Sequence, residues 1–394
     1  MANQGKIKQG VNKNVAEFFA GIGLMRAGLE KANWNVTLAN DIDPTKKRLY
    51  LNHFTTARDH FLLEDIHKLT ASMIPDVTLA TASFPCTDLS LAGRREGLNG
   101  SSSSAFWGFV DILQNMGAKK PPLILLENVA GFLTSNEGKD FSDALLALNE
   151  LGYNVDPFII NAANFVPQSR VRLFVVGKLA NEPITNLRIR QYFEGTKLRP
   201  SSLVDFIFNH PEINWDINHD LPDLPALYTE FTQIVEVIPK KSNLWWNKKR
   251  VEYFLNQTSE GHLTKLLTFK NNAEYKYLTA FRRTRNGKSM AEIRFDGIAG
   301  CLRTPKGGSA KQILLEVGKG EINIRLITPR ECARLMGADN FTLSGTANEA
   351  LFGFGDAVCV PVITWIAENY LNPTFANIIK EQNPETDITY AEPA

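Results

Sequence analysis

Val15-Ala16-Glu17-Phe18-Phe19-Ala20-Gly21-Ile22-Gly23, running into Leu24 to Lys31, is the stretch that decides the fold class. The short apolar run Val15 to Phe19 reads as a strand, and the segment from Leu24 to Lys31 reads as a helix. Two glycines join them. Glycine lets a backbone approach a ligand closely, and a helix N-terminus favours polar groups beside it. Only two of the three glycines of a dinucleotide fingerprint are present, so a tight strand-to-helix turn stands as the plain alternative.

The same alternation continues outward. Trp34 to Ala39 is strand-like and Lys46 to His53 helical. Val77 to Ser83 reads as a buried strand, Phe106 to Asn115 as a helix, and Pro122 to Leu126 as a second buried strand. A helix near Phe141 to Leu151 precedes strands near Val155 to Asn161 and Val171 to Val176. This pattern predicts an α/β domain with a doubly wound, Rossmann-like sheet. No helix separates the last two strands, so they are expected as an antiparallel pair at one edge. Beyond residue 178 the alternation stops. Residues 179–321 read as a smaller, irregular domain, 322–380 as a return segment packing on both, and 1–13 and 381–394 as flexible tails. In the return segment, Thr328 and Pro329 have the form of an N-cap and first helical residue.

Lysine plus arginine (43) nearly equals aspartate plus glutamate (42), so net charge does not name a partner. The four cysteines have no CxxC spacing, which argues against a structural metal site or disulfide framework and fits a reduced, cytoplasmic compartment. No apolar stretch is read as spanning a bilayer.

Two strands end in reactive groups. Val77 to Ser83 leads to Phe84-Pro85-Cys86, and Pro122 to Leu126 leads to Glu127-Asn128-Val129. Open parallel sheets bind ligands at that edge. A thiol and a carboxylic acid on one rim suit addition to an electron-poor ring. Cys86 also has a plain reading as a small buried residue. Arg94 and Arg95, in the polar segment after it, favour a thiolate or hold a phosphate. Glu127, closing an apolar strand, is either paired or functional. Asp41 closes the second strand, where an acid takes ribose hydroxyls or caps the next helix. Asp65 follows a third short strand and is suited to an adenine amine or to a surface turn. Strand alternation puts Gln168, Arg170 and Arg172 on one face, for a phosphate or carbonyl, unless they are a solvated edge. The middle region groups Lys248-Lys249-Arg250, Arg282-Arg283-x-Arg285 and Lys306 to Lys311 near Trp245-Trp246 and Tyr253-Phe254. Such clusters bind phosphates or read guanine, or they are ordinary solvated faces.

Taken in order, these elements resemble the cytosine-5 DNA methyltransferase family of prokaryotic restriction-modification systems. The glycine turn is similar to its first motif. Pro85-Cys86, Glu127-Asn128-Val129 and Gln168-x-Arg170-x-Arg172 are similar to its catalytic motifs, and Arg325 to Gly337 and Gly355 to Pro361 to its late ones. Asp296 to Pro305 resembles a stretch seen in some members. The resemblance implies transfer of a methyl group from S-adenosylmethionine to C5 of a flipped-out cytosine in duplex DNA, through a Cys86 adduct. It places Cys86, Glu127, Arg170 and Arg172 in catalysis. It places Phe19, Gly21, Ile22, Gly23, Asp41, Ile42, Asp65, Pro85, Ala357 and Val358 at the cofactor. The middle domain would recognise the target, with Arg94, Arg95, Gln168, Arg282, Arg283, Arg285, Arg303 and Lys306 at the DNA. The implied partners are double-stranded DNA and a separately acting cognate restriction endonuclease, with no membrane and a monomeric chain. The chain departs from the pattern at Phe84, Thr87, Asp356 and Ser101 to Ser104. Readings kept beside this one are a tRNA cytosine-5 methyltransferase, a catalytically silent DNA-binding relative and, least favoured, a nicotinamide dehydrogenase.

Overall fold

The computed structural model describes residues 12–85, 104–180, 182, 185–188, 190–193, 196–285, 287–304 and 311–382. Its larger sheet is built from β1 (Asn14–Phe18), β2 (Asn35–Asp41), β3 (Phe61–Leu63), β4 (Leu79–Ala82), β5 (Leu123–Val129), β6 (Tyr153–Asn161) and β7 (Val171–Leu179). The strand order is β3-β2-β1-β4-β5-β7-β6. The first five are parallel, while β7 runs antiparallel to both β5 and β6. β4 and β5 are covered on both faces, which is why they read as unbroken apolar runs. Chain order reverses direction between β1 and β4, so the ligand crevice of a doubly wound sheet falls there.

Helices α1 (Leu24–Lys31), α2 (Pro44–His53), α3 (Ser104–Met116) and α4 (Lys139–Glu150) flank the sheet, and α5 (Ser201–Asn209) and α6 (Phe231–Ile234) follow. α2 starts where it does because the Asp43 side chain accepts from Thr45 N and Lys46 N, with Pro44 in the first turn. The second sheet is antiparallel, in the order β11-β10-β8-β9, from β8 (Lys276–Arg285), β9 (Lys288–Arg294), β10 (Ile313–Gly318) and β11 (Glu321–Leu326). Helices α7 (Lys248–Leu255) and α8 (Glu260–Thr268) lie against one of its faces around Trp246, Phe254, Leu266, Leu278 and Ile293. The return segment carries α9 (Pro329–Leu335), α10 (Ala347–Asp356), α11 (Val360–Ile366) and α12 (Asn372–Gln382). Thr328 and Glu331 close a capping box at the start of α9.

The expected boundaries at 178 and 321 do not follow the cores. Leu203, Phe206, Ile207 and Trp215 belong to the core under one face of the larger sheet, and Phe231 and Ile234 to the core under the other. The separate small core runs from Trp246 to Ile324, and residue 321 falls inside the second sheet. Alternation of strands and helices ends early, but burial against the first domain does not. A second correction concerns length and apolarity. The helical stretch Ala347–Glu381 passes the length and hydropathy test for a membrane span, with 67% of its apolar window buried inside the protein. It packs on α1, and Thr364 Oγ1 donates to Gly28 O, so this apolarity serves the core.

Candidate active site

At the carboxyl end of β1 the backbone turns through Phe19 (φ 57°), Gly21 (φ +57°) and Gly23 (φ +87°). Gly23 is fixed by packing, because a Cβ there would sit 2.5 Å from the Phe54 ring and 2.7 Å from that of Tyr50. Gly21 differs: a Cβ would have no neighbour closer than 4.0 Å, so its backbone faces open space. Gly21 N donates to Asp41 Oδ2 (2.8 Å), and Asp43 N donates to Asp41 Oδ1 (2.9 Å). Each Asp41 oxygen therefore takes one backbone hydrogen bond and keeps acceptor capacity. Ile42 beside it is 65% exposed, unusual for so apolar a side chain. An open glycine backbone, a held carboxylate and an exposed apolar face fit a nucleoside, with its ribose on Asp41 and its base against Ile42. Asp65 Oδ1 accepts from His67 N at the start of a short helical turn, on the neighbouring strand end.

One strand over, β4 ends in Phe84 and Pro85. Phe84 is buried, with its ring centroid 5.2 Å from Phe106 and 5.8 Å from Phe132. The bulk that departs from the family pattern thus fills an aromatic pocket between α3 and the segment after β5. Pro85 is exposed. Cys86, Thr87, Arg94, Arg95, Ser101 to Ser103 and Lys306 lie outside the described residues.

Glu127, at the end of β5, is buried and its Oε1 lies 3.0 Å from Arg172 Nε, at the start of β7. The antiparallel register that sets Val129 opposite Arg172 makes this pairing. Arg172 Nη1 also donates to Val171 O (2.9 Å).

Gln168 and Arg170 pair instead with backbone groups of distant segments. They precede β7, where Gln168 forms a parallel bridge with Ala299. Gln168 is fully buried: its Nε2 donates to Leu335 O (2.8 Å) and its Oε1 accepts from Leu302 N (3.0 Å). Arg170 is buried too. Its Nη1 donates to Leu302 O (2.9 Å) and reaches Cys301 Sγ (3.3 Å), while its Nη2 donates to Gly355 O (3.2 Å) and Ala357 O (2.5 Å). Burial lowers the pKa of Arg170, and Arg172 adds to this. Burial alone would raise the Cys301 thiol, but Arg170, Arg172 and Arg303 bring it below its ordinary value.

Ala357 is half-buried and Val358 lies in the core, so this turn is held by Arg170 from one side and by packing from the other. In the middle domain, Arg282 Nε donates to Gln257 Oε1 (3.0 Å) and its guanidinium lies over Trp246 and Phe254. Arg283 and Arg285 are exposed but both pair with Glu292 (3.1 and 2.8 Å). Arg303 is exposed near the Gly355 turn, where a Cβ on Gly355 would meet the Arg303 backbone.

Sequence reading missed a polar network beneath the glycine turn. Glu17 is buried within β1; its Oε1 accepts from Arg26 N (3.3 Å) and its Oε2 from Tyr50 Oη (3.4 Å). Burial pushes the Glu17 carboxyl up to about 8. Arg26 Nη1 lies 3.0 Å from His60 Nε2, and its Nε 2.7 Å from Glu30. The available signal was an acid in the middle of an otherwise apolar strand.

The chain matches the family described as C-5 cytosine-specific DNA methylase over residues 13–372. It is similar to the Type II methyltransferase M.SsoII of Shigella sonnei, 28% identical over 366 residues that cover 90% of this chain and 79% of that protein. It is also similar to the Type II methyltransferase M.HhaI of Haemophilus parahaemolyticus, 25% identical over 368 residues that cover 92% and 96%. Among solved structures, the fold is shared with the Entamoeba histolytica methyltransferase EhMeth (TM-score 0.62, 18% identity, 93% and 99% covered).

Proposed function

The chain belongs to the C-5 cytosine-specific DNA methylase family and is a DNA (cytosine-5)-methyltransferase, and from that premise we propose that it modifies one cytosine within a specific duplex sequence through a covalent Cys86 adduct, as the modification enzyme of a restriction-modification system. The observation that carries this is the strand order. β1 and β2 bring the Gly21–Asp41 cradle to one side of the crevice, and β5 brings Glu127 to the other. β4 lies between them and leads to Pro85-Cys86, so the nucleophile follows the strand that separates donor cradle from acid.

S-Adenosylmethionine, the family's methyl donor, supplies an electrophilic methyl group when bound. Phe19, Gly21, Ile22, Gly23, Asp41, Ile42, Asp65 and Pro85 would hold it, with Ala357 and Val358 completing the wall. The Cys86 thiolate adds to C6 of cytosine, which breaks aromaticity and makes C5 nucleophilic. Glu127 hydrogen-bonds or protonates N3 as that bond forms, drawing charge away from the ring. Arg172, paired with Glu127, orients the carboxyl group and presents its guanidinium to the base carbonyl. Arg170 is a positioning residue that holds the turn from Gly355 to Ala357. Once C5 has taken the methyl group, a water molecule removes the C5 proton, the C5–H electrons restore the C5=C6 bond, and Cys86 departs with the electrons of the C6–S bond. Stacking shields C5 and C6 in a duplex, so the base must leave the helix before this chemistry begins.

Incubation with methyl-labelled donor and either duplex DNA or tRNA tests the reading. Labelled DNA is expected, together with a stable protein adduct on duplex carrying 5-fluorocytosine that disappears in Cys86→Ala. Labelling of tRNA alone, or an adduct that survives Cys86→Ala, overturns it.

A further inference from the structure

α10 meets both the glycine turn and α2, since a Cβ on Gly353 would lie 2.8 Å from Ile22 and 3.6 Å from Leu49, and α2 and α10 form a seam beside the cradle. The helices meet head to tail. Lys46, at the start of α2, pairs with Asp356, at the end of α10 (2.9 Å). Farther along, Arg48 pairs with Glu349 (2.6 Å), and Asn52 Nδ2 donates to Ser344 Oγ (2.8 Å). Lys46 and Asp356 are placed against their own helices. A cation in the first turn and an acid in the last both oppose the helix macrodipole. Local helix stability therefore does not account for either residue.

Their surroundings give another reason. Burial lowers the affinity of Lys46 for its proton, yet Asp356, Asp41 and Asp43 reverse this and leave its pKa raised. The ammonium touches Asp356 and lies in the field of two further carboxylates, one of which, Asp41, is the ligand expected for the donor ribose. Asp356 is also where this chain departs from the asparagine of the family pattern. Gly355 and Ala357 on either side of it are fixed by Arg170, so the position of this extra charge is held from the backbone.

The donor is a sulfonium cation, and loss of its methyl group leaves a neutral thioether. An excess of negative charge at the cradle acts on that difference. We propose that Asp356 determines specificity for the sulfonium donor over its demethylated product, with Lys46 moderating the preference from the opposite side of the seam. This rests on the donor reading above.

Calorimetric binding of S-adenosylmethionine and S-adenosylhomocysteine to the full chain tests it. Asp356→Asn is expected to lower the ratio of the two affinities about three- to fivefold at low salt, the scale of about one unit charge in a partly hydrated site. Lys46→Gln is expected to raise the ratio, Asp356→Glu to preserve it, and about 0.5 M salt to shrink both changes. Opposite signs in the two variants are what a merely structural seam would not produce. Equal weakening of both ligands in both variants overturns the proposal and leaves the donor reading standing. Failure of the unaltered chain to bind either ligand overturns the donor reading itself.

Discussion

Replacement of Arg170 by methionine separates a clamp from a substrate ligand. The wild-type guanidinium donates to the carbonyls of Leu302, Gly355 and Ala357 from a site that is 2% exposed. Leaving a buried acceptor without a partner costs roughly 1–3 kcal/mol. Removing the buried cation returns part of this, since its desolvation no longer opposes folding. The net expected loss is about 3–5 kcal/mol, in the range seen when one partner of a buried polar network is deleted. Arg170→Lys keeps the charge but not the planar fork, so it should recover only part of the loss. Urea unfolding followed by tryptophan fluorescence is suitable, because Trp34 and Trp215 are buried in the two cores of the larger sheet. Methyl transfer measured on the folded fraction should show a raised KM for the donor, since the turn from Gly355 to Ala357 loses its anchor. A loss of stability below about 1 kcal/mol combined with abolished turnover would refute the clamp and return Arg170 to the substrate.

Glu17 makes stability depend on pH. Its folded pKa is raised from 4.5 to about 8, so the folded state holds a proton that the unfolded state releases. The stabilisation is fully present below 4.5, falls as pH rises, and is gone above about 8. The total is roughly 5 kcal/mol at most. Unfolding at a series of pH values should show this slope in the wild type and its removal in Glu17→Gln; parallel curves would count against it. The two glycines of the turn should separate. Gly23→Ala forces a Cβ against Phe54 and Tyr50 at φ +87°, costing about 2–4 kcal/mol in thermal unfolding. Gly21→Ala meets open space and costs only about 1–2 kcal/mol in stability, while donor binding falls more steeply because the methyl group projects into the cradle.

Local pattern was enough to read the larger sheet. The apolar runs of β4 and β5, the glycine turn before α1 and the Thr328-Pro329 cap each carry their structure in a few adjacent residues. The antiparallel pairing of β6 and β7 followed from the missing helix between them. The domain boundary was less legible. Segments such as Ser201–Asn209 have their own helical period, but Phe206 there packs on Phe141 of α4, 65 residues earlier, inside the core of the larger sheet. Sequence alternation cannot report that.

The candidate site divides in the same way. Adjacent residues determined which groups exist and which strand ends bear them: Asp41 at the end of β2, Pro85-Cys86 after β4 and Glu127 near the end of β5. Chirality and hydrogen bonding then leave an alternating chain few ways to wind, so those ends meet on one rim. Tertiary structure alone decided what each charge faces. Arg172 meets Glu127 because β7 is antiparallel to β5, whereas Arg170, two residues earlier, meets carbonyls from residues 302, 355 and 357. A guanidinium has the same sequence signature in both places. Its role follows from the partners that burial imposes on it, and these come from distant parts of the chain.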